Sequence, residues 1–212
     1  MKSIKQKLIL SFFIVILVIT LCLSVISFKL SKEESINEVE QGLKLLSKNA
    51  VKLIESRIET NLNVLKAISS DNEIQDMLWN KQKLLLEEQL KSMDEFSDLA
   101  IVYSDGMAKY IDGTSRYVGD KEYIKKALAG QGNISELVKS ETTDNLVLIY
   151  TVPIIKDSNV IGALIGTRDG AVLNDIIKDL GFGENGYAYI IGEDGTFFAH
   201  KNKELVRESK FV

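Results

Sequence analysis

The chain has 212 residues, 45% of them hydrophobic, and a formal charge of -4, enough for one or two packed domains plus a membrane segment and too acidic for nucleic-acid binding. One cysteine (Cys22) and one histidine (His200) exclude a disulfide framework and the usual Cys/His zinc sites. No GxxxxGK[ST] loop occurs, and His200 stands on a strand-like stretch with no nucleophile motif near it, so neither P-loop nor Ser-His-Asp chemistry is expected, and no catalytic residue, metal or cofactor is assigned.

Residues 1–7 are short and basic, with Lys2, Lys5 and Lys7. LILSFFIVILVITLCLSVISF (8–28) then runs for 21 residues without a charge, which as a helix spans about 31 Å, the thickness of a bilayer core. A cleaved signal peptide has a shorter apolar core and a small-residue cleavage site, which does not follow here. Leu21 before Cys22 also departs from a lipoprotein signal. The segment reads as an uncleaved anchor. The lysines before it place the N-terminus in the cytoplasm and the remainder outside. Without those three lysines the chain keeps 23 basic against 30 acidic residues, so the exterior part has no electrostatic reason to lie on an anionic membrane.

Residues 29–96 read as a helical stalk followed by a second helix. From Ser31 to Ser69 there is no proline and one glycine, Gly42, and apolar residues recur at Leu43, Leu46, Ala50, Ile54, Ile58, Leu62, Leu65 and Ile68. The period near 3.6 predicts a long helix of nearly 60 Å packed along another surface, in preference to a two-stranded coiled coil. The second helix is expected from about Asn72 to Met93 with Ile74, Leu78, Leu85 and Leu86 inward.

After Phe96 short β runs take over: LAIVY (99–103), the turn SDG, AKYI, then NLVLIYTVPII (145–155), the turn KDSN and VIGALIGT (160–167). Pro153 predicts an edge position or a bulge. Helical patterns interrupt the strands at 120–129 (DKEYIKKALA) and 171–180 (AVLNDIIKDL), and GYAYIIGEDGTFFAHKN (186–202) reads as a hairpin turning at Glu193-Asp194-Gly195. That hairpin echoes IVYSDGMAKYIDG (101–113); Asp105 and Asp194 are 89 residues apart, the size of a small α+β unit, which raises the possibility of a duplication. The fold class expected is therefore α+β.

Four stretches, IVYSDGMAKY, GDKEYIKKALAGQGNIS, LVLIYTVPIIKDSNVIGALIGT and LGFGENGYAYIIGEDGTFFAHKN, in this order behind an anchor and a long helix, resemble the double Cache ectodomain of bacterial transmembrane receptors. The resemblance implies two PAS-like modules, each an antiparallel sheet with flanking helices: a membrane-distal module at 97–181 that holds the ligand, and the start of a membrane-proximal one at 182–212, incomplete at residue 212. It further implies an extracytoplasmic small-molecule sensor in a homodimer, most like methyl-accepting chemotaxis proteins. Histidine kinases and diguanylate cyclases carry similar ectodomains, and a ligand-free dimerisation element is the reading from a different class.

Family members that bind amino acids use Arg and Trp at the opening of the pocket helix, a Tyr before it, a Tyr-x-Asp after it and a late Asp. The corresponding positions here carry Lys121, Tyr123, Arg116, Val138 with Ser140, and Thr167, with Asp169 two residues on. Lysine does not reproduce a bidentate arginine, so the resemblance implies an organic anion as readily as an amino acid. The expected ligand-binding set is Arg116, Lys121, Tyr123, Tyr150 and Asp169. The alternative is that Lys121 and Glu122 are solvated and Tyr123 is a core residue; Lys125 and Lys126 read as surface.

Overall fold

The computed structural model describes residues 4–140, 145–178, 180–181, 186–192 and 195–208. Lys2 of the basic N-terminus and Glu193 and Asp194 of the second turn lie outside the described residues. The chain divides into two units, Met1–Asn49 and Ala50–Val212.

The first unit is helical and belongs to α1 (Ile4–Ser69), which contains a stretch long and apolar enough to cross a membrane. Phe12, Phe13, Ile16, Leu17, Leu21 and Phe28 are all exposed, and a helix apolar on every side suits lipid and not water. Within the apolar run the Thr20 hydroxyl donates back to the carbonyls of Ile16 and Leu17 at 2.9 and 3.0 Å, so it makes no demand on the surroundings.

The second unit continues through α2 (Asn72–Gln75), α3 (Trp79–Ser92), β1 (Asp98–Tyr103), β2 (Met107–Tyr110), β3 (Ser115–Tyr117), α4 (Glu122–Leu128), β4 (Asn133–Ile134), β5 (Val138–Lys139), β6 (Leu146–Lys156), β7 (Asn159–Asp169), α5 (Val172–Ile177), β8 (Ile190–Ile191), β9 (Phe197–Ala199) and α6 (Lys203–Glu208). Its main sheet is antiparallel throughout, ordered β3-β2-β1-β7-β6-β4 with β5 also on β6; β8 and β9 form a separate hairpin. An α+β architecture with a long apolar N-terminal helix is thus observed. The β6–β7 hairpin closes on Asp157 and Ser158, both at positive φ (49° and 64°), the backbone that a two-residue turn between twisted strands requires.

Both faces of the central strands are buried. On one, Leu65 and Ile68 of α1, Ile74 of α2 and Leu86 of α3 pack on Leu99, Ile101, Leu148, Tyr150, Val152, Ile154 and Leu164, with Ile54, Ile58 and Leu62 extending the contact along α1. The stripe read from the sequence is therefore used from Ile54 to Ile68, while Leu43 and Leu46 stay exposed. On the other face the sheet presents Ala100, Ala108 and Ala163, small enough for Ile124 and Ala127 of α4 to approach closely.

One expectation fails between α2 and α3. Leu78, expected to point inward on a continuous helix, is 55% exposed. Met77 takes φ 53°, the helix stops, and Leu78 becomes the extended residue before α3. Fully buried Gln82 secures the break: its amide donates to the Ile74 carbonyl at 2.8 Å and its oxygen accepts from the Tyr103 hydroxyl at 3.0 Å. Pro153 lies in β6 beyond the two residues paired with β4, flanked by β7 alone and one residue before a register shift at Ile154/Ile155, where its missing N–H costs no ladder bond to a second neighbour.

Gly166 sits opposite both Leu99 and Tyr150 with the Phe96 ring over it; a Cβ there would stand 2.7 Å from Phe96 Cε1 and 3.0 Å from Leu65 Cδ1. Gly166→Ala is expected to lower unfolding stability by about 1–3 kcal/mol through overpacking. Phe96→Leu in the same chain should recover part of the loss; urea unfolding of the single and double variants checks this.

Candidate functional site

A cleft of about 900 Å³ opens on the α4 side of the sheet. Its position follows from how α4 is held. The Tyr123 carbonyl accepts from Thr151 Oγ1 at 3.1 Å and from Asn133 Nδ2 at 3.0 Å, so fully buried Thr151 on β6 and Asn133 on β4 fix the first turn. The approach to α4 is fixed by Gly106 and Gly119. A Cβ on Gly106 would fall 2.8 Å from the Tyr117 ring and 2.9 Å from Gly119 Cα, and Val118 N–H donates to the Gly106 carbonyl at 2.9 Å. These contacts draw Tyr117–Lys121 along the edge of the β1–β2 turn and into the cleft wall.

Arg116, Lys121 and Tyr123 line this cleft together. Arg116, on β3, lies over the Tyr110 ring with Cζ 5.3 Å from its centroid. Lys121 is the extended residue before α4; it is exposed at the rim, with Nζ 3.5 Å from Asp120. Tyr123 is half-buried and packs on the alanine-rich face. Val138, Ser140 and Thr167 line the same space.

The structure does not bring Tyr150 and Asp169 into this cleft. Tyr150 is 2% exposed, on the opposite face, with its ring edge-on to Phe96 at 5.9 Å. Asp169 shares the strand face of Thr167, but it ends β7 and its carboxylate accepts from Ala171 N–H at 2.8 Å.

The sequence reading passed over Asp98, Asp112, Asp120, Tyr110 and Tyr117, which also line the cleft. Their only sequence signal is adjacency to the strand ends: Asp98 opens β1, and Asp112 follows β2. Burial pushes the Asp98 carboxyl up, the Asp112 charge adds to this, and the Leu99 N–H and Arg116 pull it partly back. Asp112 is held low by hydrogen bonds from the Thr114 hydroxyl (2.7 Å) and N–H (2.8 Å), with help from Arg116. Arg116 thus stands in the field of two carboxylates of opposite tendency. Three acids, the cations Arg116, Lys121 and Lys139, and three tyrosines share one concavity, an arrangement able to hold both ends of a small charged molecule.

Raising the Asp98 carboxyl means that folding disfavours its charged form, so this residue takes stability away as pH rises through its folded-state range and leaves it intact at lower pH. Asp98→Asn, which retains an oxygen for the Leu99 N–H, is expected to raise the melting temperature at pH 7. The gain should vanish below about pH 3, under the unfolded-state value of about 3.9, where the carboxyl is neutral in both states; melting curves across pH check the sign.

Residues 31–211 match the Cache domain family. The methyl-accepting chemotaxis protein TlpA of Bacillus subtilis is 23% identical over 98% of this chain, which spans only 32% of that protein's length. Among solved structures, the sensory domain of the Campylobacter jejuni chemoreceptor Tlp3 (CcmL), with isoleucine bound, superposes with a TM-score of 0.63 at 18% identity, covering 82% of this chain and 76% of that one. The ligand-binding domain of the amino acid chemoreceptor PctC of Pseudomonas aeruginosa PAO1, in complex with GABA, gives 0.63 at 18% identity over 76% and 74%. At these identities the structural likeness is one of fold. The family match takes in every element beyond the apolar segment of α1, and the chain belongs to the Cache domain family.

Proposed function

We propose that this chain is the membrane-anchored, extracytoplasmic sensing part of a bacterial chemoreceptor and that its cleft takes a small zwitterion. In this reading residues 8–28 span the membrane with residues 1–7 in the cytoplasm, 97–181 form the distal Cache module and 182–212 begin the proximal one. The receptor is a homodimer, and α1 carries the signal.

One observation carries the ligand class: opposite charges and tyrosines converge on a single cleft under α4. Arg116 and Lys121 are placed to take a carboxylate, Asp98 or Asp112 an ammonium, and Tyr110, Tyr117 and Tyr123 the body between. The amino acids and GABA bound by the structurally similar chemoreceptor domains are molecules of this type. Similarity to a methyl-accepting chemotaxis protein along nearly the whole chain favours a chemotaxis output over a histidine kinase or diguanylate cyclase. Ligand binding can bias signalling only by favouring one of two ectodomain states.

Calorimetric titration of the chain in detergent against L-amino acids, GABA and simple dicarboxylates tests the reading. At least one zwitterion is expected to bind saturably, and Arg116→Gln should weaken it about 10- to 100-fold, the loss of a charge-assisted hydrogen bond. Silence across the panel, or an unchanged affinity in Arg116→Gln, would remove the assignment.

A further inference from the structure

On the opposite face of the sheet lies a second, smaller cavity of about 180 Å³. Its body is apolar, walled by Ile58 of α1, Leu148 of β6, Leu173 and Ile176 of α5, and Phe198 of β9. An engineered apolar cavity of roughly this size admits one benzene ring.

Two of its buried polar side chains are incompletely hydrogen-bonded. The Tyr150 hydroxyl makes no hydrogen bond with any described residue, although the side chain is 2% exposed. Asn61, 4% exposed, uses its oxygen to accept from Arg168 Nη1 at 3.0 Å and makes no hydrogen bond through its amide nitrogen. No fully enclosed side-chain nitrogen or oxygen lacks a partner among the described residues, so both groups must face open space, and both line this cavity. Polar atoms this deep are ordinarily hydrogen-bonded. Arg57 and Arg168 line the same wall, and neither forms an ion pair with a described residue; Arg168 is half-buried, whereas Arg57 and the one acid in the lining, Glu136, are both exposed.

An apolar chamber with a hydroxyl, an amide N–H₂ and the half-buried Arg168 guanidinium, with Arg57 exposed at its wall, matches one ligand chemistry. We propose that this cavity binds a small hydrophobic monocarboxylate, aromatic or branched, with its carboxylate toward Arg168, Asn61 and Tyr150 and its body among the aliphatic side chains. A guanidinium fork suits a carboxylate, and the lining holds one acid, the exposed Glu136, against the three acids of the α4 cleft, which separates the two sites. Ile54, Arg57, Ile58 and Asn61 are spaced as one face of α1. A ligand here would therefore touch α1 directly, whereas the larger cleft is lined by no α1 residue.

Benzoate titrated calorimetrically into the full chain in detergent tests the site, with benzamide as the neutral isostere. Saturable benzoate binding is expected, with benzamide at least tenfold weaker. Arg168→Gln should weaken benzoate at least tenfold and Tyr150→Phe, which keeps the ring and its packing, about fivefold. Arg116→Gln, which alters only the other cleft, should leave benzoate affinity as it is. The proposal is overturned if benzoate does not saturate, if benzamide binds equally well, if both Arg168→Gln and Tyr150→Phe bind like the wild type, or if Arg116→Gln abolishes binding. Should Arg168→Gln not fold, the Tyr150→Phe and benzamide comparisons decide. Binding of zwitterions to the α4 cleft is scored separately, so either site can fail alone.

Discussion

The sheet formed by β1, β7 and β6 is buried on both faces, and the size of the side chains on each face decides what can lie against it. Ala100, Ala108 and Ala163 leave room for a short helix at close range, while Leu99, Ile101, Leu148, Val152 and Leu164 meet larger aliphatic side chains from α1, α2 and α3. Gly166 is the extreme of this division, a position with no side chain between the Phe96 ring and the sheet. The close approach of α4 brings Tyr123 of its first turn down onto the sheet and leaves the space beyond it open as the larger cleft. Both ligand-accessible spaces are thus consequences of how one sheet is covered.

Two-sided burial also explains which parts were legible in the sequence. The helical stripe from Ile54 to Ile68 could be read because its other face is polar, and period 3.6 contrasts sharply with Glu and Lys. The turn at Asp157-Ser158 and the helix at 122–128 announced themselves through local chemistry. The side taken by Tyr150 could not be read: LVLIYTVPII is apolar at nearly every position, so alternation carries no mark of which neighbours point the same way. Tyr123 and Tyr150 therefore looked like walls of one site and lie on opposite faces. The break at Met77 escaped for another reason. It depends on Gln82 reaching the Ile74 carbonyl, a contact between positions eight residues apart that no periodic pattern encodes.

The acids of the cleft were hidden by their own positions. Asp98, Asp112 and Asp120 look like the solvated ends of strands and turns, and only the packed sheet gathers them around Arg116. Asp98 bears the cost of that gathering. Its charge is held in a partly desolvated place beside another carboxylate, a conflict that a purely structural position would resolve with a neutral side chain. Such a local electrostatic conflict in a cleft is the feature on which the proposed ligand site draws.

The two spaces differ in how they can act on α1. A molecule under α4 meets β2, β3, β5 and the ends of β1, β6 and β7, so its effect on α1 must pass through the sheet and the Leu65–Ile68 contacts on the far side. A molecule in the smaller cavity would share α1 side chains with the sheet itself, and Asn61 and Arg168 already join the two across it by a hydrogen bond. Any ligand that prefers one packing of α1 on β6 and β7 shifts the same equilibrium from the opposite face. Two ligands acting on one such equilibrium must be coupled, each altering the affinity of the other by the same factor. In the proposed reading the sheet would be the element that couples the two spaces, because residues of β6 and β7 line both.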